Sequence, residues 1–332
     1  MCAASFLGGT MKKILFIATG GTIACTAEQG GLTPKISAGE LLSAVPALNG
    51  MCEIEAIQPF SLDSTDMRPS NWVRLAQEIK EHYSDFDGFV IAHGTDTLAY
   101  AAAALSCLIR NSPKPIVITG SQKPLAQNGS DAPRNLLDAF AVACSECSGV
   151  MAVFGGRIIR GSSAVKIHTT DFDAFRSINA PQLGTIDGGA VNWLEPHFSE
   201  GAPVFFSRLD SAVALIKLTP AMPPELLDFA AEHCRVLVLE GFGMGGIPDY
   251  GGAEYESRLG RLVMAGVQII AATQVICGGS NLSVYGVGAR LKKFGVIEAG
   301  GMTTEFAVMK AMWALAYSTG SEDFRELFCR EF

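Results

Sequence analysis

Short apolar runs, partly β-branched, alternate with stretches of helical period through the first half of the chain. Lys13–Ala18, Glu53–Ile57, Gly88–Ala92, Ile116–Thr119 and Val150–Phe154 read as strands. Asn71–Tyr83 sets Trp72, Leu75, Ala76, Ile79 and Tyr83 on one helical face, with Pro69-Ser70 as a start signal. Leu98–Arg110 is alanine-rich and helical in propensity, and Pro133–Ala143 lines up Leu136, Leu137, Phe140 and Ala141. Strand–helix alternation at this spacing means βαβ units and a mostly parallel sheet covered on both faces. The pattern breaks around Glu200–Leu209 and then resumes. Val213–Lys217, Arg235–Leu239 and Gln268–Ala272 read as strands; Pro224–Glu232, Tyr255–Ala265 and Thr304–Tyr317 read as helices. The expectation is an α/β protein of two domains. A larger N-terminal one at 11–200 has a mostly parallel sheet flanked by helices, 201–211 is a linker, and a smaller α/β domain fills 212–332.

Composition narrows the function. The 332 residues are 48% hydrophobic and 17% charged, as in a compact folded protein. A formal net charge of −8 argues against a nucleic-acid or anionic-membrane surface. No apolar stretch approaches the about 20 residues of a membrane span. The nine cysteines are odd in number and scattered, which fits a reducing cytosol better than a disulfide framework. A start at Met11 would make Lys12-Lys13 and the apolar run after it imitate a signal peptide. Thr19-Gly20-Gly21-Thr22 breaks that run too early, so Lys13–Ala18 reads as the first core strand and Met1–Thr10 as a loose extension.

The polar chemistry gathers just after the strands. His93-Gly94-Thr95-Asp96-Thr97 joins a buried strand to a helix, where open α/β sheets place ligands. A helix cap is the commoner explanation of any single Thr-Asp pair. Thr19-Gly20-Gly21-Thr22 follows the first strand, and its glycines admit either a sharp turn or a closely approaching ligand. Asp63-Ser64-Thr65-Asp66 follows the second and offers hydroxyls for a carboxylate and carboxylates for an ammonium, or simply an Asx-type turn. Lys166 has apolar neighbours; drawn into a site, such a lysine loses basicity and can act as a base, although most lysines are solvated. Gly241-Phe242-Gly243-Met244-Gly245-Gly246 formally fits a dinucleotide fingerprint, but Pro248 stands where a helix should begin. The five histidines show no metal-ligand spacing, and the lone Cys144-Ser145-Glu146-Cys147 has no second pair.

Taken together, Ala18-Thr19-Gly20-Gly21-Thr22-Ile23-Ala24, Asp63-Ser64-Thr65-Asp66-Met67, His93-Gly94-Thr95-Asp96-Thr97, Thr119-Gly120-Ser121-Gln122, Lys166 and Gly301-Met302-Thr303 resemble the bacterial-type L-asparaginase family, its cytoplasmic type I branch above all. The resemblance spans nearly the whole chain. It implies a cytoplasmic amidohydrolase converting L-asparagine to aspartate and ammonia through a threonine nucleophile and an acyl-enzyme, with L-glutamine as a second substrate. It implies no metal or organic cofactor, and a homodimer or homotetramer. By position, Thr22 is the primary nucleophile and Thr95 the second catalytic threonine, grouped with Lys166 and Asp96. Ser64, Thr65 and Asp96 hold the substrate's backbone charges, and Ser121 offers its carbonyl to the leaving amide. The resemblance leaves open which threonine attacks first.

Two departures stand out. The family usually carries a tyrosine in the loop after Thr22, whereas this chain reads Glu28-Gln29-Gly30-Gly31-Leu32. Tyr285, in the glycine-flanked segment Val284–Gly288, is the substitute to consider, acting across a subunit interface. Relatives also often carry an asparagine where Gly246 stands. Two alternatives compete: the amidase subunit of a tRNA-dependent amidotransferase, which carries an extra N-terminal domain, and a catalytically weak amino-acid-binding relative.

Overall fold

The computed structural model describes residues 11–28, 31–199, 201–248 and 254–331. From the N-terminus the chain runs β1 (Lys13–Ala18), a hairpin of β2 (Cys25–Glu28) and β3 (Gly31–Pro34), α1 (Ala38–Ser43), β4 (Glu53–Ile57), α2 (Pro69–Glu81), β5 (Gly88–Ala92) and α3 (Leu98–Leu108). It goes on through β6 (Ile109–Arg110), β7 (Pro115–Thr119), α4 (Ala132–Cys144), β8 (Gly149–Phe154), β9 (Arg157–Arg160), β10 (Ala164–Lys166), β11 (Phe175–Ser177), β12 (Gly184–Asp187), β13 (Ala190–Trp193) and β14 (Val204–Phe205). The second half comprises β15 (Val213–Lys217), α5 (Glu225–His233), β16 (Val236–Gly241), α6 (Glu254–Met264), β17 (Gln268–Thr273), α7 (Gly286–Lys293), β18 (Ile297–Glu298), α8 (Thr304–Tyr317) and α9 (Ser321–Cys329).

Among the described residues the first half builds one eight-stranded sheet, ordered β13-β12-β9-β8-β7-β5-β1-β4. The pairs β4–β1, β1–β5, β5–β7 and β7–β8 are parallel; β9, β12 and β13 extend the sheet antiparallel. Alternation along β1 sorts its side chains. Leu15 and Ile17 face the layer of α2 and α3, while Ile14, Phe16 and Ala18 face α1 and α4. Local signals set the helix starts: Ser37 and Glu40 form a reciprocal cap on α1, Pro69 opens α2, and Thr303 caps α8.

The second half forms a four-stranded parallel sheet, β15-β16-β17-β18. Leu237, Leu239 and Ile269 pack on α5 and α6; Val236, Val238 and Ile270 join α8 in the same apolar layer as α2 and α3. The α3–α8 contact therefore fuses the two sheets through one core. The segment that reads as a linker is tied down as well. In it, β14 pairs with β6, and Phe206 meets Trp313 edge-on at 5.2 Å between ring centroids.

Two expectations change. The helix over Leu98–Arg110 stops at Leu108, because Ile109 turns extended (φ −127°) and Arg110 pairs with Val204. The stretch between Phe154 and Glu200 holds five short strands, β9 to β13, that the apolar pattern did not reveal.

Leu105 lies on α3, fully buried in the shared core. Leu105→Ala should lower the unfolding free energy by about 2–5 kcal/mol, read from the urea midpoint.

Candidate active site

The order of the large sheet reverses at β1. The chain leaves β1 for β4 on one side and returns for β5 on the other. The loops after these three strands meet at their carboxyl ends, the crevice where open sheets bind ligands. Glycine allows the meeting. Gly20 (φ +98°) and Gly21 (φ +75°) turn the chain after β1, and a Cβ on Gly21 would lie 2.2 Å from the Gly94 Cα. A Cβ on Gly94 would in turn lie 2.5 Å from Ser64 Oγ. Hydrogen bonds lock the contact: Gly21 N–H donates to Leu62 O at 2.8 Å, and the Thr97 hydroxyl donates to Ser64 O at 2.8 Å.

This interlock brings Thr22, Ser64 and Thr95 together. Thr22 opens a single 3-10 turn and is partly exposed; its hydroxyl has no hydrogen-bond partner among the described residues. Ser64 and Thr95 are each only 4% exposed. Lys166, at the end of β10, reaches across. Its Nζ donates to Thr95 Oγ1 at 2.9 Å and to Asp96 Oδ1 at 2.6 Å. Thr95 Oγ1 donates onward to Gln122 Oε1 at 3.2 Å. The Thr95 hydroxyl is thus oriented from both sides, with its proton away from the ammonium. Among the described residues, neither the Thr22 nor the Thr95 backbone N–H is spent on another carbonyl. Two unspent N–H groups beside a hydroxyl suit a developing oxyanion. His93 beneath them is wholly buried, and burial pushes its imidazole down to about 4, so it stays neutral at ordinary pH.

The remaining candidates fall differently. Ser121 is buried and its hydroxyl donates to Lys123 O at 2.5 Å. Thr65 is exposed and its hydroxyl donates to Asp63 Oδ1 at 2.8 Å, the Asx-type turn. Tyr285 stands at the start of α7, 64% exposed, and its hydroxyl bonds to no described residue. Gln29 and Gly30 lie outside the described residues. Gly241–Gly246 closes as a tight turn, with Phe242 and Gly246 exchanging backbone hydrogen bonds, so no helix N-terminus faces a phosphate there. No trio of metal-ligating side chains gathers among the described residues.

Three groups that hold the site were missed from the sequence. Asp131, just ahead of α4, accepts from Gln122 N–H at 3.0 Å and Lys123 N–H at 3.1 Å. Asn135, one helical turn on, donates to Gly120 O and to Asp131 Oδ2, both at 3.0 Å. Asn179, at φ +56°, accepts from Gly278 N–H at 2.7 Å and donates to Gly301 O at 3.1 Å, bracing the loops of the second domain against the first. The readable sign for the first was Ser130-Asp131 before Ala132-Pro133, a helix-start pattern.

Against known proteins, residues 13–198 match the family model described as Asparaginase, N-terminal, and 212–328 match that of the Glutaminase/Asparaginase C-terminal domain. The L-asparaginase of Thermococcus kodakarensis is 38% identical over 96% of this chain and 97% of its own, and its structure superposes with a TM-score of 0.91. L-asparaginase 1 of Escherichia coli is 32% identical over 95% of each chain. A glutamyl-tRNA(Gln) amidotransferase subunit of Pyrococcus abyssi is 35% identical over 96% of this chain and 75% of its own.

The hairpin that presents Lys166 is itself held by charge. Asp173 takes Arg157 Nε at 2.8 Å and Arg176 Nη2 at 2.5 Å, and these two cations, Arg157 first, hold its carboxyl well below the usual carboxylate range. Because the folded value is depressed, the stabilisation is present above the unfolded value of about 3.9 and fades as pH falls below it. Asp173→Asn should therefore be less stable than wild type at pH 7, with the gap narrowing steadily as pH falls from about 4 towards 2. Asp173 is 42% exposed, so solvent screening keeps the difference near about 1 kcal/mol. Urea midpoints at these pH values check this.

Proposed function

The chain belongs to the asparaginase family, and on that premise we propose that it is an L-asparagine amidohydrolase, releasing aspartate and ammonia. The observation that carries the reading is the Lys166–Thr95–Asp96 contact, set beside an unpartnered Thr22 hydroxyl. An amide is a poor electrophile, so the attacking hydroxyl needs a base and the oxyanion needs donors. In this mechanism Lys166 reacts as the neutral amine, one ammonium proton having first gone to solvent, and Thr22 Oγ1 attacks the side-chain carbonyl as its proton passes to the Thr95–Lys166 pair. The Thr22 and Thr95 N–H groups receive the oxyanion. The C–N bond breaks, the nitrogen leaves as ammonia with the transferred proton, and an ester to Thr22 remains. Water activated by the same pair then hydrolyses the ester to aspartate and restores the hydroxyl. Ser64 and Thr65 hold the substrate's α-carboxylate, Asp96 its α-ammonium, and the Ser121 carbonyl the amide N–H. Gripping both backbone charges fixes the amide within attack distance.

In the same reading residues 11–200 carry the catalytic groups and 212–332 complete the site of a neighbouring subunit in a cytoplasmic homodimer or homotetramer. The free thiols among the described residues suit a reducing compartment. Support for the shared site comes from the loop after β17, where Val275, Ile276, Val284 and Tyr285 are 51%, 52%, 49% and 64% exposed in the single chain. A second reading follows from the likeness to the Pyrococcus amidotransferase polypeptide, in which the ammonia would pass to a tRNA-linked acceptor.

Kinetics on the purified protein with L-asparagine, L-glutamine and their D-isomers test the activity; free ammonia in the absence of tRNA and any partner favours the asparaginase. Thr22→Ala should drop the rate below about a thousandth of wild type with the fold intact. Lys166→Met should cost roughly 10²–10⁴ in kcat, the range of a proton-transfer contribution. A full rate in either variant removes that residue from the mechanism. For Tyr285, Thr22→Ala and Tyr285→Phe protomers are dissociated and reassembled together. Activity above both parents is expected, since mixed oligomers then contain sites with both residues native.

A further inference from the structure

A cavity of about 350 Å³ opens at the amino ends of β7 and β8, on the rim of the large sheet opposite the catalytic loops. Its polar walls are made by Arg110, Arg160, His197, Asn111, Ser162 and Ser199. Among the described residues no aspartate or glutamate lines it, although the whole chain carries a formal net charge of −8. A lining that is cationic and, among the described residues, free of acids is a local reversal of the protein's electrostatic sign.

Three of its groups are uncommitted. The Arg160 guanidinium, the Asn111 amide and the Ser162 hydroxyl form no hydrogen bond or ion pair with any described residue. The contrast lies on the same strand, where Arg157 is saturated by Asp173. Arginine drawn part-way out of water is normally paired, so a half-buried and unpaired Arg160 is costly unless something else fills the pocket. Arg110 is held in place instead. Its Nη2 donates to Glu331 O at 3.3 Å, and its guanidinium lies 5.6 Å from the centre of the Trp313 ring. The Asn111 backbone is left-handed, at φ +53°, as the chain turns out of β6. His197 registers the positive field: burial first, and then the Arg160 cation, hold its imidazole below the ordinary value.

We propose that this cavity is a second binding site, for a small multiply charged oxyanion held by Arg160 together with Arg110, Asn111 and Ser162. A phosphoryl group and a cluster of carboxylates share the required chemistry, since both present oxygen pairs that a guanidinium fork can take two at a time. The volume accommodates a small metabolite rather than a polymer. The site is independent of the amidohydrolase assignment, because none of its groups touches the catalytic loops.

The test is calorimetric titration of the full chain with inorganic phosphate and, separately, with citrate, at low and matched ionic strength. The titrations are repeated in saturating L-aspartate to occupy the catalytic crevice. The expected result is saturable binding of at least one anion at about 1 mM or tighter, unaffected by L-aspartate. Arg160→Gln should weaken it about ten-fold or more, the effect of losing a charge-assisted hydrogen bond. Preference for phosphate identifies a phosphoryl ligand, and preference for citrate a polycarboxylate. If Arg160→Gln does not fold, Ser162→Ala and Asn111→Gly decide, since both remove side chains without partners and glycine keeps the left-handed backbone. Overturning results are no saturable binding of either anion, displacement by L-aspartate, or unchanged affinity in the folded variants.

Discussion

The site rests on a contact between main chains. The turn after β1 and the turn after β5 approach so closely at Gly21 and Gly94 that a single carbon added to either would collide with the other loop's backbone or with Ser64. The Thr97 hydroxyl pins Ser64 O across the same contact, so none of the loops can shift without moving the rest. That rigidity places one hydroxyl from each of three loops within a common crevice. Among the described residues it also leaves the N–H groups of Thr22 and Thr95 without a backbone acceptor, while Gly21 N–H and Leu62 N–H tie the first two loops together. Pre-set donors of this kind need no reorganisation when charge develops.

Much of this was legible in the sequence. The strands β1, β5, β7 and β8 announce themselves as short apolar runs, since a parallel strand buried on both faces needs nothing else, whereas β4 on the sheet edge alternates Glu53, Ile54 and Glu55. The clusters at Thr19–Thr22, Asp63–Asp66 and His93–Thr97 follow such runs directly, at the carboxyl ends where open sheets bind ligands, and their recurrence after three strands is more than separate caps and turns require. What stayed hidden was of another kind. The strands β9 to β13 are too short for a periodic signal, although Gly155-Gly156 and Gly188-Gly189, all at positive φ, mark the hairpin turns from β8 to β9 and from β12 to β13. Asp131 and Asn135 hold the backbone of the loop just before them, Asp131 through the Gln122 and Lys123 N–H groups and Asn135 through the Gly120 carbonyl, and a helix-start pattern marks the position of Asp131 without naming those partners. For Tyr285 the chain gives an exposed side chain whose hydroxyl bonds to no described residue.

The division into two domains is similarly half true of the physics. Each half has its own sheet, and the two sheets are separately ordered. Yet the apolar layer between α3 and α8 is continuous, and Phe205 and Phe206 carry it through the connecting segment. A composition break therefore marks a change of sheet without marking a gap in the core.

The helix α3 shows where such a layer leads. Ala99 and Ala101 to Ala104 are all buried, and nearly every side chain on that stretch is a single methyl. That alanine stretch, unlike Leu98, Leu105 and Leu108 on either side, has almost nothing to lose by truncation and almost no room for growth. Most cores drift in both directions, shedding a methylene here and gaining one there. Along these alanines the drift upward in volume runs against neighbours on every side, and the drift downward ends one step away, at glycine. The segment should accept substitutions asymmetrically over evolutionary time, exchanging alanine with glycine or serine and little else. That would make it a slow-changing strip inside a faster-changing protein, for reasons of space alone.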